Sequence, residues 1–201
     1  MKKITFLTLL TLIFLLNPQK SVLGFDVPKI PIPGLGGGGG DSVDIDALTG
    51  KQSELVKSMA NALLNLSKAQ VKFLEALGEK EAAIAAAMYI SALEKGEGLG
   101  KDDLEKALQQ SKKSQEIINK KIAEQKVLEA QAKLIFAKGI PPYGKGVGGL
   151  ALTGLKAKQT VDSIGSNPSP LIITKVGSLF FIAKETPTAI SMFANSTGTM
   201  I

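Results

Sequence analysis

The sequence predicts an all-α fold: an elongated antiparallel helical bundle that contains two long coiled-coil-like helices. An extended Pro- and Gly-rich N-terminal arm precedes the bundle, and a Gly-rich, apolar C-terminal helical hairpin completes it. Apolar and small residues recur at alternating spacings of three and four through residues 43–77, as one face of a helix requires. Capping and stop signals then divide the rest of the chain into further helices.

Residues 1–24 have the pattern of a secretory signal peptide. Lys2 and Lys3 precede an apolar run, and the residues at positions 22 and 24 favour cleavage after Gly24. The run is shorter than the roughly 20 residues that span a bilayer, and an uncleaved N-terminal membrane anchor is the alternative. We therefore expect an exported protein, located in the periplasm, at the cell surface or outside the cell.

Residues 25–40 form an N-terminal arm, in which Pro28, Pro31 and Pro33 exclude a helix or a central strand. A run of glycines at its end predicts a flexible hinge. Such an arm either lies on its own domain or reaches a neighbouring subunit, where it acts as an assembly arm. The apolar residues of the arm are Phe25, Val27, Ile30 and Ile32, and the hinge residues are Gly36, Gly37, Gly38, Gly39 and Gly40.

The first long helix is predicted over residues 43–77, and a capping-box pattern places the start of its continuous part near residue 50. Gly78 ends or bends this helix, residues 79–95 form a second helix or a continuation, and Gly96 begins a clear break. The apolar spacing predicts a coiled-coil-like seam. Its main residues are Leu55, Met59, Leu66 and Phe73.

A third helix is predicted from a capping box at Asp102 to about Lys138. Gly139 followed by Pro141 is typical of a helix stop. At 1.5 Å per residue this helix is roughly 55 Å long, and we expect it to pack antiparallel to the first, completing a bundle over residues 41–138. The seam residues on this helix are Leu108, Ile118 and Ile122.

Residues 139–201 are richer in Gly and in apolar residues, and they predict C-terminal helices that pack on the bundle. Small residues between positions 144 and 165 permit close helix contact. Pro170 marks the first position of another helix, which runs to about Lys184. Residues 144–183 thus form a hairpin that is either a buried core or a membrane-facing element. Its apolar residues include Leu171, Ile172, Val176, Leu179 and Phe180.

Three glycine motifs resemble ligand sites, and each departs from the chemistry its site needs. Residues 139–146 approach a phosphate-binding loop, but Pro141 and Pro142 remove amides that would hold phosphate, so we expect no nucleotide. The glycines at positions 144, 146 and 149 fit helix packing better than dinucleotide binding. Residues 36–44 match one calcium-binding nonapeptide, which needs stacked repeats, so we expect no metal.

Composition excludes several function classes. The chain has no His, Cys, Arg or Trp, so it lacks a side chain that titrates near neutrality, a thiolate and a bidentate anion clamp. After cleavage at Gly24, 21 lysines stand against 18 acids, and a net charge of +3 does not indicate nucleic-acid binding. No nucleophile and base form a recognisable unit, so we expect no enzyme, no catalytic residue and no cofactor.

The remaining features favour function by contact. We expect an exported, non-enzymatic helical scaffold or self-assembling subunit, whose partner is another copy or another exported protein. The alternative is a membrane-active or membrane-surface protein that uses residues 144–183. Charge supports this alternative, because Asp162 and Glu185 are the only acids after residue 129 while lysines continue.

Overall fold

The computed structural model describes residues 44–200 except 97, 125, 126 and 167, and these residues form one all-α helical bundle. No strand occurs in this part of the chain, which confirms the predicted fold class. The predicted signal peptide, the predicted assembly arm and the predicted glycine hinge lie outside the described residues. The helices are α1 (Ile45–Ala76), α2 (Lys80–Ala87), α3 (Ile90–Lys95), α4 (Lys101–Glu124), α5 (Ala130–Ile164), α6 (Pro170–Lys175) and α7 (Gly177–Met200).

α1 begins five residues earlier than the capping-box pattern predicts. Asp44 is its N-cap, and the carboxylate accepts a hydrogen bond of 3.0 Å from the amide of Ala47. Thr49 lies inside the helix instead, where its hydroxyl donates to the carbonyl of Ile45 at 2.8 Å. The helix ends where Gly78 adopts a positive φ of 79°, a conformation that favours glycine.

α1 is the central helix of the bundle, because it packs against each of the other six helices. The predicted seam residues Leu55, Met59, Leu66 and Phe73 are all buried on it. A second buried line runs along a neighbouring face of the same helix, so α1 is covered on more than the single face that a two-helix seam requires. This second line consists of Val56, Ala60, Leu63, Ser67, Gln70 and Leu74.

The helix stop predicted at residues 139–141 is wrong, because α5 continues through Gly139, Pro141 and Pro142. The aromatic ring of Phe73 on α1 stacks on Phe136 at a centroid distance of 4.4 Å. This packing holds the segment helical despite its low local propensity. Residues 137 and 138, whose carbonyls lose their amide partners to the two prolines, are exposed, so water can satisfy those carbonyls.

The long helix predicted over residues 102–138 is two helices, and the predicted antiparallel packing on α1 is wrong for α4 but holds for α5. α4 ends at Glu124 and runs parallel to α1, as the 2.7 Å ion pair between Lys121 and Glu79 and the hydrogen bond from Gln70 to the Ser111 carbonyl show. The antiparallel partner of α1 is α5. One continuous helix would extend beyond the end of α1. Two separate helices can both pack on α1, so together they bury more apolar surface.

The predicted helix over residues 170–184 is likewise divided, at Val176, and α7 then continues through Pro187. Gln52 of α1 bridges the break, since its side-chain amide donates to the Lys175 carbonyl at 3.3 Å and its side-chain oxygen accepts from the Leu179 amide at 3.2 Å. α7 runs parallel to α4, because Lys112 pairs with Glu185 at 3.3 Å and Asn119, one turn or more later, donates to Ser196 at 2.9 Å. α5 is therefore the one long helix that runs against the other three.

Candidate interaction surfaces

The inner face of α5 carries small and apolar residues in a seven-residue repeat, and α1 packs against this face. A β-carbon on Gly146 would lie 2.7 Å from Leu66 Cγ and 3.0 Å from the Ala62 carbonyl oxygen, and one on Gly139 would lie 2.5 Å from the Phe73 ring. These distances are too short for any side chain, so glycine sets the close approach of the two helices. The inner face consists of Phe136, Gly139, Tyr143, Gly146, Leu150, Thr153, Ala157 and Thr160.

The opposite side of α5 carries a second line of apolar and small residues at three- and four-residue spacing, and all of its members are exposed. Leu134 is 63% exposed and Leu152 is 56% exposed, and the small residues between them continue the same line along the helix surface. Gly144 and Gly148 lie open on this side, because a β-carbon on either would meet no neighbouring atom of the described residues within 4 Å. We call Leu134, Ala137, Pro141, Gly144, Gly148, Leu152 and Leu155 the α5 outer face.

Lysines dominate the charge of α5, whose one acid, Asp162, lies near its C-terminal end. Residues 130–161 include five lysines and no acid, so this stretch has a net charge of +5. All five side chains are exposed, and Lys158 pairs with Asp162 beyond the end of the stretch at 2.7 Å. The α5 outer face is therefore an apolar strip with a cationic border. The lysines are Lys133, Lys138, Lys145, Lys156 and Lys158.

A second exposed apolar feature lies on α2. Ile84 is 66% exposed and Met88 is 71% exposed, and they stand one helical turn apart. Glu81 is exposed one turn before Ile84. We call Glu81, Ile84 and Met88 the α2 ridge.

A buried hydrogen-bonded chain of amides and hydroxyls joins α1, α4 and α7. The side chain of Gln70 donates to the Ser111 carbonyl at 2.8 Å, and Ser111 Oγ donates back to Gln70 Oε1 at 3.0 Å. The chain continues from Gln115 to Asn119 at 2.9 Å, and from Asn119 to Ser196 at 2.9 Å. No buried side-chain polar atom of the described residues lacks a hydrogen-bond partner. This network fixes the register of three helices.

Ser111 and Gln115 of α4 share the partner Gln70, and the sequence analysis did not identify this network. A polar residue at a buried helical position could have suggested such a network, because buried polar groups require partners. A cleft of about 240 Å³ opens at the end of the network. It is lined by Asn119, Ile122, Ala123, Met192, Asn195 and Ser196.

Two titratable groups have shifted pKa values, and both shifts have structural causes. Burial raises the pKa of Tyr143, whose hydroxyl donates to the Phe193 carbonyl at 2.8 Å between α5 and α7. A hydrogen bond to Glu79, followed by the charge of the same carboxylate, raises the pKa of Lys121. Tyr143 is thus a neutral donor that joins two helices, and Lys121 joins α4 to the turn after α1.

The predicted seam residues lie inside the bundle of their own chain. Leu55, Met59, Leu66, Phe73, Leu108 and Ile118 are buried, and Ile122 is half-buried at the cleft. These side chains pack against other helices of the same chain, so they do not form a free surface for a partner.

The predicted C-terminal hairpin residues have mixed positions. Ile172, Val176 and Leu179 are buried, Phe180 is half-buried and Leu171 is 57% exposed.

Across the part of the chain that the structure describes, no helix is both long enough and apolar enough to cross a membrane. The same residues contain no cluster of three or more acidic side chains suited to a metal ion.

No family model matches the chain, and neither the curated proteins nor the solved structures contain a match to it.

Proposed function

We propose that this protein is an exported, non-enzymatic helical subunit that self-assembles, with the α5 outer face as its contact surface. The N-terminal arm over residues 25–33 supplies a second contact, reaching a neighbouring copy across the glycine hinge. The observation that carries the proposal is a helix with two seams, of which only the inner one is covered by the described residues of its own chain.

Because the coiled-coil seam is buried, it is not available for contact with a second copy. The residues with the strongest seam spacing serve the intramolecular core, so association through them would require the bundle to open. The α5 outer face needs no such rearrangement, because Leu134, Leu152 and Leu155 are already exposed. Exposed apolar strips of this kind are typical of contact surfaces in proteins that associate.

The glycines of the outer face support the same proposal. An exposed glycine inside a helix costs roughly 1 kcal/mol relative to alanine. Gly139 and Gly146 are required by their close contacts with α1, but Gly144 and Gly148 make no such contact with the described residues. A partner that approaches the helix closely would give these two glycines a role.

Sedimentation velocity of residues 25–201 over a wide concentration range tests the proposal. We expect the unsubstituted chain to form species larger than a monomer, and the Leu152→Gln/Leu155→Gln variant to shift toward monomer. Leu171→Gln/Ile173→Gln is the matched control, because these residues are also exposed apolar side chains but lie on α6. A chain that sediments as a monomer at every concentration contradicts self-assembly.

A second candidate function is binding to an anionic membrane surface, and the charge of α5 favours it. Five lysines without an acid border an apolar strip over residues 130–161, which matches the pattern of interfacial helices. Co-sedimentation with vesicles that contain phosphatidylglycerol, compared with pure phosphatidylcholine, distinguishes it. Binding to the anionic vesicles that Lys138→Glu/Lys145→Glu abolishes supports this function, and equal or absent binding to both excludes it.

A further inference from the structure

We infer that the α5 outer face docks on the α2 ridge of a second copy, so that the copies join head to tail. The inference rests on the proposed self-assembly and specifies the surface that meets the α5 outer face. It is carried by two exposed apolar patches on opposite sides of α1, one bordered by lysines and the other beside the exposed Glu81.

The positions of the two patches follow from contacts on α1. Leu66 faces α5, since it lies against Gly146. Lys68 follows two residues later, which is about 200° around the helix, and it pairs with Glu94 of α3 at 2.8 Å. α3 and the adjoining α2 therefore pack on the side of α1 away from α5.

The charges of the two patches are complementary. Residues 79–95, from the N-cap of α2 to the end of α3, contain three acids, Glu79, Glu81 and Glu94, against Lys80 and Lys95, a net charge of −1. Glu79 and Glu94 pair with lysines of their own chain, whereas Glu81 is exposed on the ridge. The α5 stretch over residues 130–161 has a net charge of +5. Attraction between the patches favours this contact over a pairing of two α5 outer faces, in which lysines would meet lysines.

The shapes of the two patches also correspond. Ile84 and Met88 project at positions four residues apart, and Gly144 and Gly148 leave two openings at the same spacing. Side chains at this spacing form a ridge about 6 Å long, and small residues at the same spacing leave a groove that accepts it. Leu152 lies one turn beyond Gly148 at one end of this groove, and Pro141 lies one turn before Gly144 at the other end.

The contact is heterologous, because each copy contributes a different patch. A pair of copies joined in this way leaves one α5 outer face and one α2 ridge unoccupied at its ends. Such a contact produces a ring if the rotation between copies closes and an open filament if it does not.

Two variants that each retain one patch test the inference in residues 41–201, the helical bundle without the N-terminal arm, so that the arm contact does not join the copies. Leu152→Gln/Leu155→Gln removes the α5 patch, and Ile84→Gln/Met88→Gln removes the α2 patch. We expect each variant alone to sediment as a monomer, and an equimolar mixture to form a dimer of twice the monomer mass that does not grow further. The helix content from far-UV circular dichroism should stay unchanged, because all four side chains are exposed.

The outcomes separate this inference from the proposed function. If the α2 variant still assembles like the unsubstituted chain while the α5 variant is monomeric, self-assembly stands and the α2 ridge is not the partner surface. A mixture that stays monomeric also overturns the inference. A monomeric unsubstituted chain overturns the proposed function itself.

Exchange of one charge between the α2 ridge and the lysine border of the α5 outer face provides a second, independent test. Glu81→Lys and Lys145→Glu should each raise the concentration at half-assembly by about tenfold or more, and the two changes combined in one chain should restore much of the loss. Additive losses without restoration contradict attraction between the two patches.

Discussion

The inner and outer faces of α5 have the same spacing of apolar and small residues but different surroundings. On the inner face, Gly146 and Gly139 touch α1 so closely that no side chain fits. On the outer face, Gly144 and Gly148 are open. Periodicity thus identifies a helix with two contact faces, and only the packing of the whole chain decides which face the protein uses for its own core.

The largest effect is expected for a change that removes the anchor of the inner face. Phe73→Ala should lower the free energy of unfolding by about 3–5 kcal/mol, because it deletes a fully buried ring that stacks on Phe136 and contacts Tyr143. Urea denaturation measures this value. Leu152→Ala on the outer face is the control, and it should change stability by less than about 0.5 kcal/mol. Equal losses would contradict the distinction between the two faces.

A smaller but more specific loss is expected at the inner glycine. Gly146→Ala should lower stability by about 1–2 kcal/mol, because the added β-carbon would meet Leu66 and overpack the α1–α5 contact. The gain in helix propensity from alanine offsets only part of this loss. Urea denaturation of the variant checks the value, and an increase in stability would show that α1 and α5 are not packed this closely.

Tyr143 on the inner face should make stability depend on pH in alkaline solution. Burial raises the pKa of Tyr143 above its ordinary value of 10.0, so the unfolded chain loses the phenolic proton at a lower pH than the folded chain does. The contribution of the protonated Tyr143 to the free energy of unfolding is complete below about pH 10. It falls as the pH rises further, by up to about 1.4 kcal/mol per pH unit. Urea denaturation between pH 9 and 11 measures this slope, and Tyr143→Phe should make it shallower. An unchanged slope in that variant would indicate that the hydroxyl is accessible to water.

The smallest effect on folding is expected at the outer glycine, where stability and association should change in opposite directions. Gly148→Ala should raise the free energy of unfolding by up to about 1 kcal/mol, because alanine favours the helix and meets no atom of the described residues. The same substitution should weaken self-association in sedimentation velocity, because the added methyl group fills the groove. A more stable variant that assembles normally would mean that Gly148 does not contact the partner.

Local sequence patterns were sufficient for the fold class but not for the helix boundaries. The seam through Leu55, Met59, Leu66 and Phe73 predicted α1 because those residues do face the core. The break between α4 and α5 was missed because residues 125–129 contain neither Gly nor Pro. Conversely, Gly139 and Pro141 suggested a stop, whereas packing against Phe73 keeps the segment helical.

The outer face could not be derived before the course of α5 was known. The scarcity of acids after residue 129 is visible in the sequence, and the lysine-bordered α5 outer face lies in this part of the chain. However, a helix interrupted at residue 139 cannot place Leu134 and Leu152 on one strip. The strip emerges only when α5 is continuous from Ala130 to Ile164.

The rate at which a thiol on the α5 outer face reacts tests the central claim most directly. Because the chain has no Cys, Ala137→Cys introduces a single reactive group on that face, and Ser53→Cys introduces one at an exposed site on α1. Labelling with a maleimide is compared at concentrations below and above assembly. We predict that assembly slows the reaction at residue 137 and leaves that at residue 53 unchanged; equal reaction rates at residue 137 in both states would contradict the account.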